Sequence, residues 1–299
     1  MKQFRAGLAI LALVAGMLAG PTDAAAAGSF TCSGGTATSP ATIPAGTYTS
    51  LTVTGICHIL GVVTGPAVGP NGTEVITNCN APGGAVHVLG GLTIAPNAFL
   101  DAGSCAPTVT VAGNVSVGSG GTFILGCSPF LVIMPPVPPF PTLCPGITTS
   151  DSIGGNVTSD QPLALIFHAT TINGNVSVLG GGGGVNCNAD LTLSAALDSE
   201  LGSLGPTPAY TDFENNAIHG GASFSGLQGC WFGIFRNQVW GSVSVTNNTF
   251  ADADATEVAT NTVRGNLTCQ GNSPAAQVGD SGGLPNTVTG RKLGECASL

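Results

Sequence analysis

The phrase Asn-x-(Ile/Val)-x-Gly occurs four times in the last third of the chain. The copies are Asn216–Gly220, Asn237–Gly241, Asn261–Gly265 and Asn286–Gly290, and their asparagines are 21, 24 and 25 residues apart. A period in the twenties, written in Gly, Asn and β-branched residues with almost no charge, is typical of a coil of stacked β-strands. The phrase therefore predicts an all-β fold, a parallel β-helix in which each copy occupies a successive turn.

Short runs of alternating apolar and hydroxyl residues support this prediction, since a period of two indicates strands with one buried face. Such runs include Leu51–Val53, Leu92–Ile94, Val109–Val111, Val115–Val117, Val176–Val178 and Val243–Val245. A second phrase, Gly-Asn-(Val/Leu)-(Ser/Thr), begins at Gly113, Gly155, Gly174 and Gly265. We interpret its glycine as a corner in left-handed backbone geometry and the following apolar residue as a core residue.

The first 27 residues have the features of a secretory signal peptide. Lys2 and Arg5 form a basic start, residues 6–20 are mostly apolar, and Ala25-Ala26-Ala27 offers a small-residue cleavage site. The apolar stretch is short for a transmembrane helix, and we expect no membrane span in the mature chain. We therefore expect residues 28–299 to form a single secreted, extracellular β-helix domain.

Composition limits the class of partner. Charged residues make up 7% of the chain and hydrophobic ones 43%, a hydrophobic content too high for a disordered chain. Without Lys2, Arg5 and Asp23 of the signal peptide, six basic residues become four and fifteen acidic ones become fourteen, for a net charge of −10. So few cations cannot contact a row of phosphates, which argues against nucleic acid.

All ten cysteines follow the predicted cleavage site. They are Cys32, Cys57, Cys79, Cys105, Cys127, Cys144, Cys187, Cys230, Cys269 and Cys296. An even number in an exported chain without a Cys-x-x-Cys pair predicts disulfides rather than a zinc site. The first four spacings are 25, 22, 26 and 22 residues, close to one repeat, so a bridge can join adjacent turns of the coil. The sequence leaves the pairing open.

The repeat units, together with Val245–Phe250, resemble turns of right-handed parallel β-helix proteins of the pectin-lyase-like superfamily. The Gly-Asn-Val units also resemble β-helical polymer-forming and surface proteins of bacteria. The resemblance covers about residues 45–125 and 150–295, and implies a right-handed coil of about nine to eleven turns without an active-site motif. His219-Gly220 is similar to the His-Gly element of β-helical polygalacturonases, whose Asp-Asp and Arg-Ile-Lys elements are missing.

Two segments interrupt the repeat and are predicted to be insertions, near residues 127–148 and 179–211. The first contains the Pro-rich stretch Phe130–Pro141, whose prolines cannot donate ladder hydrogen bonds. We expect a polyproline-like loop there, either a contact site for a partner or a cap over the coil. The second begins with five consecutive glycines, Gly180–Gly184.

The densest acidic set is Asp252, Asp254 and Glu257. Residues two apart on a strand share a face, so these carboxylates are candidate ligands of a calcium ion, the one cofactor that the sequence suggests. A solvated turn between two strands explains the same residues, and both interpretations stay open. The sequence identifies no catalytic residue.

The fourth position of the Asn-x-(Ile/Val)-x-Gly phrase varies, holding His219, Trp240, Arg264 and Thr289. We call these four residues the variable column, because stacked copies would place them about 4.8 Å apart on the outside of the coil. An aromatic ring beside a cation can share a ligand such as a sugar. The alternative is that Trp240 packs beneath the insertion near 179–211.

These features predict a non-enzymatic secreted protein with a structural, adhesive or surface-binding role and a polysaccharide or cell-surface partner. The alternative is a carbohydrate-active enzyme, a polysaccharide lyase or glycoside hydrolase. Such an enzyme needs carboxylates that face one groove as acid and base or as calcium ligands.

Overall fold

The computed structural model describes residues 28–36, 39–59, 67–68, 74–75, 85–103, 108–126, 150–188, 209–279 and 282–299. The predicted signal peptide, the predicted Pro-rich loop near 127–148 and most of the insertion near 179–211 lie outside these residues. Within the described ranges, no helix has the length and apolar character needed to cross a membrane.

Three large parallel sheets contain nearly all the described strands. The ten-stranded sheet consists, in spatial order, of Phe30–Cys32, Leu51–Val53, Leu92–Ile94, Val115–Val117, Val157–Asp160, Val176–Leu179, Ala222–Ser225, Val243–Thr246, Leu267–Gln270 and Lys292–Gly294. The eight-stranded sheet consists of Ala41–Thr42, Ile56–His58, Phe99–Ala102, Thr122–Leu125, Ala164–His168, Tyr210–Glu214, Trp231–Phe235 and Glu257–Ala259. The nine-stranded sheet consists of Gly46–Tyr48, Ala85–Val88, Thr108–Val111, Ser152–Ile153, Thr171–Ile172, Ala217–Ile218, Gln238–Val239, Thr262–Val263 and Thr287–Val288.

The remaining elements are short. Gln228–Gly229 pairs in parallel with Thr249–Phe250, and Ala67–Val68 pairs antiparallel with Glu74–Val75. A 3-10 helix, Glu295–Ser298, follows the last strand. The described part of the chain is therefore all-β apart from this single 3-10 turn.

The chain passes through the three sheets in a repeating order. Thr108–Val111 lies in the nine-stranded sheet, Val115–Val117 in the ten-stranded sheet and Thr122–Leu125 in the eight-stranded sheet. The next described strand, Ser152–Ile153, returns to the nine-stranded sheet and pairs in parallel with Thr108–Val111. This order is consistent with the predicted parallel β-helix.

The core lies between the three sheets and is filled by alternate residues of the strands. In Val115–Val117 the two valines are buried and Ser116 is exposed, as the period of two predicts. Six phenylalanines form a continuous chain of ring contacts, with centroids 4.9 to 5.9 Å apart. They are Phe123, Phe167, Phe213, Phe224, Phe232 and Phe250. Because a buried phenylalanine contributes about 1.5–3 kcal/mol, this chain of rings is a main source of stability.

The asparagines of the repeat phrase form a buried ladder. Asn237 donates from its backbone N–H and from Nδ2 to Oδ1 of Asn261, and its own Oδ1 accepts the same pair of bonds from Asn216. Asn261 is bonded to Asn286 in the same way. Each Nδ2 also donates to a core-strand carbonyl, as Asn237 does to Phe213. Because each amide is satisfied by the turns on either side of it, asparagine is required at each repeat.

A second ladder ends on a carboxylate. Asn248 donates to Oδ1 of Asn272, and Asn272 donates from its N–H and Nδ2 to the two oxygens of Glu295. Partial burial alone would raise the pKa of Glu295, but these bonds and one from the N–H of Ala276 outweigh it, so the pKa lies below its ordinary value. The ionised carboxylate therefore terminates the ladder beside the last 3-10 turn.

The prediction of left-handed corner glycines in the second phrase is wrong, because Gly113, Gly155, Gly174 and Gly265 are not among the described residues with positive φ. The same holds for Gly220, Gly241 and Gly290, the other glycines of the repeat phrase. They stack instead, with the N–H of Gly241 donating to the carbonyl of Gly220. A Cβ on Gly241 would lie 2.8 Å from that carbonyl oxygen, so the backbone would have to shift to accept it. Close approach of the stacked glycines, not left-handed geometry, disfavours a side chain here.

Left-handed geometry occurs in the run Gly180–Gly184, where all five glycines have positive φ. Gly182 donates to the carbonyl of Pro162, and Gly184 donates to that of Gln228. The start of the predicted insertion is therefore held by backbone hydrogen bonds to residues on both sides of it along the sequence.

Three disulfides join described cysteines: Cys32–Cys57, Cys187–Cys230 and Cys269–Cys296. Cys32 and Cys57 lie on the ten-stranded and eight-stranded sheets, and both side chains are buried. Cys269–Cys296 ties the 3-10 turn to the ten-stranded sheet. These pairs confirm disulfides at both ends of the described fold, while Cys79, Cys105, Cys127 and Cys144 lie outside the described residues.

Candidate functional site

The variable column follows the last strand residue of four adjacent strands in the nine-stranded sheet. Ile218, Val239, Val263 and Val288 are register partners, so the residues after them lie one above the other. Their backbone N–H groups continue the hydrogen-bond pattern of the parallel sheet. That of Trp240, for example, donates to the carbonyl of Ile218. His219, Arg264 and Thr289 are exposed, and Trp240 is half-buried.

Three residues of the column form a continuous contact. The rings of His219 and Trp240 meet edge to face with centroids 4.6 Å apart. The guanidinium carbon of Arg264 lies 5.0 Å from the centroid of Trp240, in cation–π range. Within the described ranges, no carboxylate lies at ion-pair distance from Arg264. The column thus presents an indole with a cation on one side and an imidazole on the other.

A shallow groove occupies the same face of the nine-stranded sheet toward its N-terminal strands. Its volume is about 390 Å³, and Ala112, Gly154 and Asn173 line it at the positions that correspond to the variable column. His87 and Thr110 line it from the neighbouring outward positions and are joined by a 2.7 Å hydrogen bond. Leu89 occupies the corresponding position of the preceding strand and also lines the groove, and Asn173 lies one strand from His219.

The ten-stranded sheet carries a row of hydroxyl residues on its outer face. Its outward positions hold nine hydroxyl residues in continuous register from the first strand to the ninth. In order they are Thr31, Thr52, Thr93, Ser116, Thr158, Ser177, Ser223, Ser244 and Thr268. All nine are exposed or half-exposed. The strands thus carry hydroxyl groups at a spacing of about 4.8 Å.

The predicted calcium set is not brought together. Asp252 is exposed, and its Oδ1 accepts the backbone N–H of Asp254 in a local turn. Glu257 is buried on the eight-stranded sheet, where its Oε1 accepts the indole N–H of Trp231 at 3.2 Å. These contacts fit the alternative of a turn for Asp252 and Asp254 better than a shared calcium ion.

A different charged group, which the sequence interpretation missed, lies on the eight-stranded sheet. His168 ends one strand, and Asp212 and Glu214 share a face of the next. Nε2 of His168 is 3.0 Å from Oδ2 of Asp212 and 4.0 Å from Oε2 of Glu214. Arg236 forms an ion pair with the other oxygen of Glu214. We call these four residues the charged cluster.

The charged cluster is largely buried. Asp212 is 7% exposed and Glu214 8%. Oδ1 of Asp212 and Nε of Arg236 are buried without a hydrogen-bond partner. Burial lowers the pKa of Arg236 below its ordinary value, and the charge of Asp212 opposes that shift. Arg236 also has a positive φ of 52°, at the bend that leads into Asn237 of the ladder.

The charged cluster contains the one set of three metal-ligating side chains within the described ranges whose ligand atoms all lie within 4.8 Å of one another. The set is His168, Asp212 and Glu214. A partial signal for it exists in the sequence, since Asp212 and Glu214 are two residues apart within a strand-like run. His168 is 44 residues from Asp212, so only the fold places it beside them.

No protein-family model, curated protein or solved structure matches this chain. The pectin-lyase-like resemblance therefore rests on the repeat phrase and on the parallel sheets alone.

Proposed function

We propose that this chain is a secreted, non-enzymatic protein that binds saccharide polymers of an extracellular or cell surface through the variable column. In this proposal residues 1–27 are removed, and the mature chain forms a right-handed parallel β-helix of the pectin-lyase-like kind. The observation that carries the proposal is the exposed contact of His219, Trp240 and Arg264.

The chemistry of the column suits a sugar ring. The indole of Trp240 offers an apolar face to the C–H groups of a sugar, and the exposed imidazole and guanidinium beside it offer donors to its hydroxyls. Half-burial of Trp240 fixes the ring before binding, which reduces the entropy cost of ordering it.

The shape of the face suits a polymer. The groove beside His87 and Thr110 lies on the same face as the variable column, so a linear chain can follow both. The hydroxyl face of the ten-stranded sheet, without a charged residue in its nine positions, supports contact with an uncharged hydroxylated surface. A scaffold with long regular faces can use both without any catalytic group.

A polysaccharide screen with the mature protein tests this proposal. We expect binding to at least one soluble or insoluble polysaccharide, and we expect Trp240→Ala to weaken it by about tenfold or more, since a stacked aromatic contributes about 1–2 kcal/mol. Leu284→Ala is the control, because Leu284 is a large apolar residue with 66% exposure that lies outside the variable column and does not line the groove.

The control should bind like the wild type. Equal affinities of the wild type and Trp240→Ala, or an absence of binding to every polysaccharide in the screen, would contradict the proposal.

A polysaccharide lyase or glycoside hydrolase is the second candidate. Asp212 and Glu214 favour it, because two carboxylates with ligand atoms within 4.8 Å of each other, beside an arginine, can act as acid and base. Turnover is measured as reducing ends or unsaturated products from the polysaccharides that bind. Turnover that disappears in Asp212→Asn but not in Trp240→Ala would establish the enzyme in place of the scaffold.

A further inference from the structure

We propose that His168, Asp212 and Glu214 bind one divalent transition-metal ion, of the zinc or manganese class, on the eight-stranded sheet. This inference is independent of saccharide binding, because it uses a different sheet and different residues from the variable column.

The geometry provides three converging ligands. Strands Ala164–His168 and Tyr210–Glu214 are neighbours in register, with His168 opposite Glu214 and Ile166 opposite Asp212. Nε2 of the imidazole and one oxygen of each carboxylate lie within 4.8 Å of one another. Metal–ligand bonds of about 2.0–2.2 Å place donor atoms about 3–4 Å apart, so small side-chain rotations bring all three onto one ion.

A buried oxygen without a hydrogen-bond partner lies at the proposed metal site. Oδ1 of Asp212 is buried without a hydrogen-bond partner, and the residue as a whole is only 7% exposed. Leaving a buried charged acceptor unpaired destabilises the folded state. A cation bound to Oδ1 removes that cost. Nε2 of His168 binds the ion in its unprotonated form, so its hydrogen bond to Oδ2 of Asp212 is replaced by the metal bond.

Arg236 positions one of the ligands. Its guanidinium binds the Glu214 oxygen that faces away from His168, so the other oxygen remains directed at the imidazole. Such outer contacts orient carboxylate ligands in protein metal sites. The arginine also offsets one carboxylate charge, so the cluster as a whole is not a strong anion before metal binds.

The donor set selects the class of ion. One imidazole and two carboxylates suit zinc, manganese or iron, whereas calcium and magnesium prefer sites built from oxygen alone. Three protein ligands leave at least one coordination position for water or another small ligand. The side chain of His168 is 19% exposed, which gives an ion a route to the site from solvent.

The test uses the mature protein freed of metal with a chelator. Titration with Zn²⁺ by calorimetry is expected to give one site per chain, and Co²⁺ is expected to produce visible absorption bands of a nitrogen- and oxygen-ligated ion. Asp212→Asn and His168→Gln keep side-chain size and should each weaken Zn²⁺ binding by more than about tenfold.

Two controls separate this site from surface binding. His219→Gln removes an exposed histidine and Asp252→Asn an exposed carboxylate, and both should leave affinity and Co²⁺ bands unchanged. Circular dichroism verifies that each variant is folded. Absence of Zn²⁺ binding by the wild type, or wild-type affinity in folded Asp212→Asn, would overturn the site. Saccharide binding is measured separately, so failure here leaves the proposed function standing, and the reverse also holds.

Discussion

The repeat phrase contains two columns that lie three residues apart on the same turns and have opposite properties. The asparagine column is buried, with Asn237 at 1% exposure, and hydrogen bonds join each member to the next. The variable column is exposed or half-exposed and holds four different residues. Invariance in the first column follows from the demands of stacking. The repeated residues therefore indicate the fold, and a ligand-binding site is expected at the position where the fold does not determine the residue type.

The largest expected effect comes from breaking the asparagine column. Asn237→Ala removes four side-chain hydrogen bonds: two that Oδ1 accepts from Asn216, and two that Nδ2 donates, to Phe213 and Asn261. At about 0.5–1.5 kcal/mol each, and with partners left buried, we expect the free energy of unfolding to fall by about 2–4 kcal/mol in urea denaturation.

The neighbouring Gln238→Ala is the control, because Gln238 is exposed on the same strand. An unchanged urea midpoint for Asn237→Ala would mean that the ladder contributes nothing to stability.

A methyl group on the glycine of the phrase tests the close approach of turns. In Gly241→Ala the new Cβ would lie 2.6 Å from the backbone nitrogen of Gly221, so two turns must separate. We expect a loss of about 1–3 kcal/mol in the same assay. Gly28→Ala, where nothing lies within 4 Å of the new Cβ, should leave stability unchanged. Equal stability of the two variants would contradict the explanation by close approach.

Arg264, the cation of the variable column, should affect saccharide affinity but not the free energy of unfolding. Arg264→Ala removes the guanidinium over Trp240 from an exposed position. We expect saccharide affinity to fall by about two- to fivefold, the equivalent of 0.5–1 kcal/mol, with an unchanged urea midpoint. Arg264→Lys should recover part of the affinity, and no recovery would point to hydrogen bonding by the guanidinium instead.

The smallest effect concerns the end of the second ladder. Because hydrogen bonds hold the pKa of Glu295 below its ordinary value, its contribution to stability is complete above the pKa of an unfolded glutamate, about 4.3. It is lost as the pH falls through the lower pKa of the folded state. The difference in unfolding free energy between wild type and Glu295→Gln should therefore shrink between pH 5 and pH 3. A difference that is constant with pH would exclude this role.

The local sequence pattern was sufficient to predict several strands and their core residues. Leu92–Ile94, Val115–Val117 and Val243–Val245 alternate, and each is a strand with its central residue outward. The reason for the repeat glycines was not predictable, because the atom that excludes a side chain from Gly241 lies one turn away. Periodicity indicates which positions are constrained but not which neighbour imposes the constraint.

The variable column was predictable as a column, because a regular repeat brings its fourth positions into register. The charged cluster was not predictable from the sequence. His168 and Asp212 are separated by the insertion near 179–211, whose length hides which strands are neighbours. The acidic set was predicted from its density in sequence, yet Asp252 and Asp254 lie in a local turn whereas Glu257 is buried on the eight-stranded sheet.

The most direct test measures unfolding free energy and saccharide affinity together for Asn237→Ala and Trp240→Ala. We expect opposite outcomes for the two variants. Asn237→Ala should be less stable by about 2–4 kcal/mol yet bind like the wild type at temperatures where it is folded. Trp240→Ala should bind about tenfold or more weakly, with an unfolding free energy within about 0.5 kcal/mol of the wild type. If Trp240→Ala loses stability instead of affinity, the column is part of the scaffold, and the claim that function lies in the variable position is wrong.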